Sequence, residues 1–194
     1  DGTLRLLVTP TTEPPAPLAA FAPGQDADSV WRALQARARG AQQYGAFVLP
    51  KLSTETYTLR QWATLGRHAD VAVRARAMAS VDQVLEPLTA ATPEQADALL
   101  PLADSAFENS QQFARQLFGE RLPDSALSPE LLIRWVDHPQ AWVRALGQQR
   151  LMRQMSASEA SLTLTRLAQH PSAEVQQFVT QWLLALPDEP APER

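Results

Sequence analysis

The sequence predicts an all-α chain built as a solenoid of about five stacked helical hairpins, with a Pro-rich N-terminal extension. Three observations predict it. The stretch Leu131–Met152, LLIRWVDHPQAWVRALGQQRLM, reads as helix, tight turn, helix. Degraded copies of that unit recur at a near-constant period, which is the mark of repeat architecture. Almost no alternating strand pattern remains elsewhere.

In the reference unit, Leu131, Leu132, Trp135 and Val136 form one apolar helical stripe. Ser128-Pro129-Glu130 opens the helix with a capping hydroxyl, a proline at the first position and an acid near the positive end. Asp137-His138-Pro139 closes it, because the residue before a proline leaves the α region. A second stripe follows with Val143, Leu146, Gly147 and Leu151. With Val143 as anchor, Ala41, Val73, Ser110 and Val175 match it, and successive anchors are 32, 37, 33 and 32 residues apart.

The aligned columns agree. Four residues after the anchor stand Gly45, Ala77, Ala114, Gly147 and Val179, a mostly small column that admits a close helix. Three after it stand Tyr44, Arg76, Phe113, Leu146 and Phe178; eight after it, Leu49, Val81, Phe118, Leu151 and Leu183. Eleven and eight before it, the pairs Val30/Ala33, Trp62/Leu65, Leu99/Leu102, Leu132/Trp135 and Leu164/Leu167 are apolar throughout.

In chain order, residues 1–27 lie outside the repeat. Leu4–Val8 has one short strand's pattern, and five prolines from Pro10 to Pro23 forbid a helix, so an extended segment or linker is expected. Asp28 or Ser29 is expected to cap the first helix, and Pro50 to stop the second. Ser53–Thr58 reads as a polar loop. Hairpin two runs from Thr58 to Leu85. Thr92-Pro93-Glu94-Gln95 is a capping-box start for hairpin three, which runs to Arg121. Ser156-Ala157-Ser158-Glu159 opens hairpin five, which ends at Pro187. The division expected is therefore 1–27 extension, 28–187 repeats and 188–194 polar tail. The terminal hairpins should show a more polar outer side or meet further domains, and Trp182 and Leu186 keep the second option open.

At HADVAVR, HPQAWVR and the weaker HPSAEVQ, the chain resembles the HEAT-repeat superfamily of α-solenoids, over about residues 28–187. The resemblance implies a right-handed solenoid with second helices lining a concave face. On function it spans scaffolds, transport factors and some nucleic-acid enzymes. The family's ladder Asp, six residues before the Arg, is replaced here by His68, His138 and His170.

Composition narrows function by exclusion. No run near 18 apolar residues is present, so no membrane span is expected. There is no cysteine, hence no disulfide framework or thiolate chemistry. No signal peptide is visible, and the cytoplasm is the expected compartment, although a removed leader would leave no trace. Lys51 is the only lysine among 17 basic residues, the usage of a high-GC, bacterial-type genome or a preference for bidentate contacts. HExxH, GxSxG, CxxC and Gly-rich phosphate loops are absent, so no catalytic, cofactor or metal residue is assigned and an enzyme is not expected. The histidines occupy one position in different hairpins, stacked about 8–10 Å apart, too far to share a zinc held by bonds of about 2 Å. Turn and capping roles are expected for them.

Charge is segregated. Residues 29–81 carry eight basic against two acidic side chains, a net +6; residues 82–130 carry two against nine, a net −7; residues 131–169 carry five against two, a net +3. Arg37 and Arg39 precede one second helix and Arg74 and Arg76 open the next, so a concave basic patch is expected. The competing reading pairs these arginines with the acidic block. Trp62, Trp135 and Trp31 are expected in the core. Trp142, one before the anchor, is expected either at a contact surface or over the seam between hairpins. The contact residues assigned are Arg37, Arg39, Arg74, Arg76, Trp142 and Arg144. The expected function is a non-enzymatic interaction or scaffolding module of a larger protein, binding another protein or domain. The alternative is a nucleic-acid-binding protein, in the manner of the HEAT-like alkylpurine DNA glycosylases, using the basic first two hairpins.

Overall fold

The computed structural model describes residues 26–155 and 157–185. Among them every regular element is helical and there is no strand. The expectations for Leu4–Val8, the proline segment, the Ser156 capping box, Leu186, Pro187 and the tail lie outside the described residues.

The helices are α1 (Ala27–Gln35), α2 (Arg39–Val48), α3 (Leu59–Leu65), α4 (Val71–Val84), α5 (Pro93–Ala98), α6 (Leu100–Ala103), α7 (Glu108–Gln116), α8 (Pro129–Val136), α9 (Ala141–Gln154), α10 (Ala157–Ala168) and α11 (Ala173–Ala185). Consecutive helices pair: α1 with α2, α3 with α4, α6 with α7, α8 with α9, and α10 with α11. Helix α3 also packs on α5 and α6, and α4 on α7.

The caps follow the sequence closely. Ser128 accepts from Leu131 N–H with Pro129 at the first position. Thr92 and Gln95 form the capping box, and so do Thr58 and Gln61. The first helix is an exception. Its cap is Asp26, which accepts from Ser29 N–H at 2.6 Å, rather than Asp28 or Ser29. Asp28 instead lies in the first turn, where an acid faces the positive helix end. The loop expected at Ser53–Thr58 is fastened down. It contains a 3₁₀ turn at Thr54–Thr56; Thr54 is buried, donates to Gln83 Oε1 at 2.6 Å, and its carbonyl accepts from Trp62 Nε1 at 2.8 Å.

Hairpin three departs most from the reference unit. Its first helix is broken into α5 and α6, because Pro101 has no N–H for the carbonyl one turn back. Its second helix widens into a π turn at Leu117–Arg121.

The core is continuous along the hairpins. The pairs eleven and eight before the anchor are buried apart from the half-buried Ala33. In the column eight after it, Leu49, Val81, Phe118 and Leu151 are at most 1% exposed, but Leu183 is 53% exposed. Leu184 beside it is also exposed, whereas Trp182 turns inward and is buried. Trp62 and Trp135 are core, as expected; Trp31 is half-buried against Tyr57, with ring centroids 5.6 Å apart. Tyr57 ties that corner by donating to Ala27 O at 2.7 Å; burial, and then Asp28 and Asp26, push its phenol up to about 12.

The small column is fully buried. A Cβ on Gly45 would lie 2.7 Å from Leu34 Cγ, and one on Gly147 would lie 2.7 Å from Trp135 Cβ. Close approach within a hairpin therefore requires these glycines.

Ser110 occupies the anchor position that Val73, Val143 and Val175 fill elsewhere. It is fully buried and its hydroxyl has no hydrogen-bond partner. An unsatisfied buried hydroxyl costs about 1–3 kcal/mol. Ser110→Val is therefore expected to raise stability by about 1 kcal/mol, read as a higher urea midpoint with an unchanged slope.

Candidate interaction surface

Two columns at the hairpin turns set the geometry of the surface. The residue just after the anchor is Gln42, Arg74, Gln111, Arg144 or Gln176. Each reaches back to its own turn. Gln42 donates to Ala36 O at 2.8 Å, Gln111 to Ser105 O at 2.8 Å, and Gln176 to His170 O at 2.9 Å. Arg74 Nη1 donates to the carbonyls of His68 and Ala69, both at 2.8 Å. Arg144 Nη1 donates to His138 O at 3.0 Å and Pro139 O at 2.9 Å.

The second column, five before the anchor, reaches across to the preceding hairpin. His68 Nδ1 accepts from Asp70 N–H at 3.0 Å and its Nε2 faces Leu34 O at 3.1 Å. His138 Nδ1 accepts from Gln140 N–H at 3.1 Å and its Nε2 faces Asp104 at 3.5 Å. His170 Nδ1 accepts from Ser172 N–H at 3.2 Å and its Nε2 faces Asp137 at 3.2 Å. Ser105 repeats the pattern without an imidazole, accepting from Phe107 N–H and donating to Gly66 O, both at 3.3 Å. A ring that accepts at Nδ1 carries its proton at Nε2, so the neutral imidazole serves both bonds. The turn roles expected for the histidines are thus extended: they are cross-links between hairpins.

This makes one seam sensitive to acid. Burial pulls the His138 imidazole below its ordinary value; Asp104 opposes that and Arg144 adds to it. The unfolded chain then takes up its proton at a higher pH than the folded one. The contribution to stability is present above about pH 6.5 and lost as pH falls below it. The drop in melting temperature from pH 7 to pH 5 should be smaller in His138→Gln than in the parent chain.

The predicted contact arginines separate into two kinds. Arg74 is only 7% exposed; besides its turn it donates to Asn109 Oδ1 at 3.1 Å and lies 3.9 Å from the Phe107 ring centroid. Arg76 is half-buried, donates to Leu52 O at 2.9 Å and lies over Trp62. Neither joins Arg37 and Arg39 in an open patch, which corrects the concave four-arginine cluster. A long guanidinium folds back to satisfy carbonyls that the turn leaves open. Arg144 does the same and also holds Glu174 at 3.0 and 3.3 Å. Arg37 and Arg39 are exposed. Trp142 is half-buried over the seam, 6.4 Å from the Phe118 ring, with the Arg115 guanidinium 5.8 Å from its own ring.

The segregated charges largely interlock. Asp97 receives Arg60 at 2.7 Å and Arg134 at 2.6 Å, Asp82 receives Arg121 at 2.8 Å, and Asp124 receives Arg153 at 2.8 Å and also Arg150. Arg150 is the residue that sequence reasoning missed. It is 7% exposed and donates to Gly119 O at 2.7 Å. A signal existed: seven after the anchor the column reads Val48, Ser80, Leu117, Arg150 and Trp182, so one charge stands in an otherwise uncharged column.

Two grooves run between neighbouring second helices or their starts. One, of about 290 Å³, lies between α9 and α11 and is lined by Ala141, Ala145, Gln148, Gln177, Phe178 and Gln181 together with the Arg144–Glu174 pair. Another, of about 230 Å³, lies beside Arg39, Gln42, His68 and Asp70. Among the described residues no three His, Cys, Asp or Glu side chains are grouped to hold a metal ion. No helix among them is long and apolar enough to cross a membrane. No family model, curated protein or solved structure matches this chain.

Proposed function

We propose that the chain is a right-handed, HEAT-like α-solenoid of five hairpins that acts as a non-enzymatic interaction module, holding a protein partner along its second helices. The α9–α11 groove carries this reading. It is lined by three carboxamides with no hydrogen bonds of their own among the described residues and by the buried ring of Phe178. Carboxamides both donate and accept, so they suit a polypeptide backbone or polar side chains. The turn ladder supports the reading too, because it fixes successive hairpins without drawing on those groups. The cytoplasm is the proposed compartment.

The test is affinity capture from nuclease-treated native lysate at low salt, comparing the parent chain with Gln148→Ala/Gln177→Ala/Gln181→Ala. The expected result is one discrete protein, recovered in near-equal amount with the parent and lost with the triple variant. Recovery only from untreated lysate would instead favour the nucleic-acid reading, for which the exposed Arg37 and Arg39 speak and the internally committed Arg60 and Arg74 do not.

A further inference from the structure

Most of the basic side chains of the first two hairpins have a partner within the chain. Arg60 holds Asp97, Arg74 and Arg76 hold carbonyls, Arg32 holds Asp28 O, and Lys51 lies over Phe47. Three cations remain. The side chains of Arg37, Arg39 and Arg67 make no hydrogen bond, ion pair or ring contact among the described residues, and all three residues are exposed.

All three sit at turns. Arg37 lies between α1 and α2, Arg39 opens α2, and Arg67 follows α3. The His68–Leu34 contact at 3.1 Å holds the second turn against the end of α1, so the three arginines belong to one pair of adjacent turns. Helix α2 adds to the positive potential there. Its cap residue is Ala38, so no side chain caps the positive end of the helix. Asp70, the carboxylate of the second turn, already accepts from Ala72 and Val73 N–H and caps α4.

The edge changes sign at once beyond the second turn. Turn three carries Asp104 and Glu108, and turn four carries Asp137. Two adjacent turns stacked about 10 Å apart match roughly three residues of extended chain at about 3.3 Å each. A short anionic segment therefore fits the edge, and a long polyanion following the same row of turns meets three carboxylates. Guanidinium groups recognise carboxylates bidentately.

We infer that this turn edge docks a short, extended acidic segment of a protein partner, with its carboxylates held by Arg37, Arg39 and Arg67. The inference rests on the interaction-module reading but uses the first two hairpins, whereas the groove lies between α9 and α11.

The test is fluorescence anisotropy with labelled hexaglutamate and, separately, a labelled DNA duplex of about 20 base pairs, titrated with the full chain at low salt. Arg37→Glu/Arg39→Glu/Arg67→Glu is compared with Arg115→Glu/Arg153→Glu/Arg166→Glu, which makes the same charge change in later hairpins. Circular dichroism confirms that both variants fold. Hexaglutamate should bind the parent, lose at least about tenfold in affinity with the turn variant and less than about threefold with the control. No binding of hexaglutamate would overturn the inference, and so would equal loss in both variants. Tighter binding of the duplex, lost in the turn variant, would overturn it in favour of nucleic acid. The groove variant Gln148→Ala/Gln177→Ala/Gln181→Ala should leave hexaglutamate binding unchanged, so this edge and the proposed groove can fail separately.

Discussion

Gly147→Ala is expected to destabilise the chain by about 2 kcal/mol, although alanine is worth up to about 1 kcal/mol more than glycine inside a helix. The new methyl would lie 2.7 Å from Trp135 Cβ and 3.1 Å from both Trp135 C and Val136 N. Two of those atoms are backbone of α8, so they cannot swing aside as a side-chain tip would. The helices must separate, and the nearly fully buried Trp135 and Val143 lose contact with them. Gly40→Ala is the control. A Cβ there meets nothing within 4 Å, and the site is exposed in the first turn of α2. It should be neutral or stabilising by about 0.5 kcal/mol. Urea unfolding of the two variants should shift the midpoint in opposite directions or leave Gly40→Ala unchanged. Equal shifts would show that α8 and α9 are not in close contact.

Arg150→Met should cost about 3 kcal/mol. The apolar stem is preserved, so the loss isolates the guanidinium. That group donates to Gly119 O and Phe118 O and pairs with Asp124. Its removal leaves carbonyls of the π turn without their donor in a site that water reaches poorly. Asp124 is 47% exposed and keeps Arg153, so little of the cost comes from the ion pair itself. Arg150→Lys should recover less than half of the loss, since one ammonium cannot span the carboxylate and both carbonyls. Asp124 also sets a pH signature. Burial raises its carboxyl, but the Arg153 hydrogen bond and the charges of Arg150 and Arg153 outweigh burial and hold it below the usual range. The stability it adds is present above about pH 4 and fades as pH falls below that. Arg150→Met should flatten this acid limb as well as lower the midpoint, and thermal melts between pH 5 and pH 3 would read both.

The helices, their order and most of the core were legible because helical periodicity and caps are local. Thr92 and Gln95, or Ser128 and Pro129, decide where a helix begins without reference to anything distant. The small column was legible for a related reason: Gly45 and Gly147 recur at a fixed offset, and a repeated gap has to be matched by a repeated neighbour. The candidate surface was less legible. Arg37 and Arg39 were found as exposed residues, but Arg74 was assigned to the same patch although it is buried. Nothing local distinguishes an arginine that reaches solvent from one that folds back onto its own turn. The distinction depends on whether nearby carbonyls are already satisfied.

By itself, the sequence determined the paired helices of the described residues, with apolar columns inside and prolines and capping residues at the breaks. Those features act over one helical turn, and each is written in adjacent residues. Only the tertiary structure decided how the charges are used. It sent Arg60 to Asp97, Arg150 to the π turn and His68 to Leu34 O, and it left Arg37, Arg39 and Arg67 outside. The partners in those bonds lie some 30 residues or more apart. A charged or hydrogen-bonding group takes whichever partner packing brings within about 3 Å, and spacing along the chain does not specify that partner.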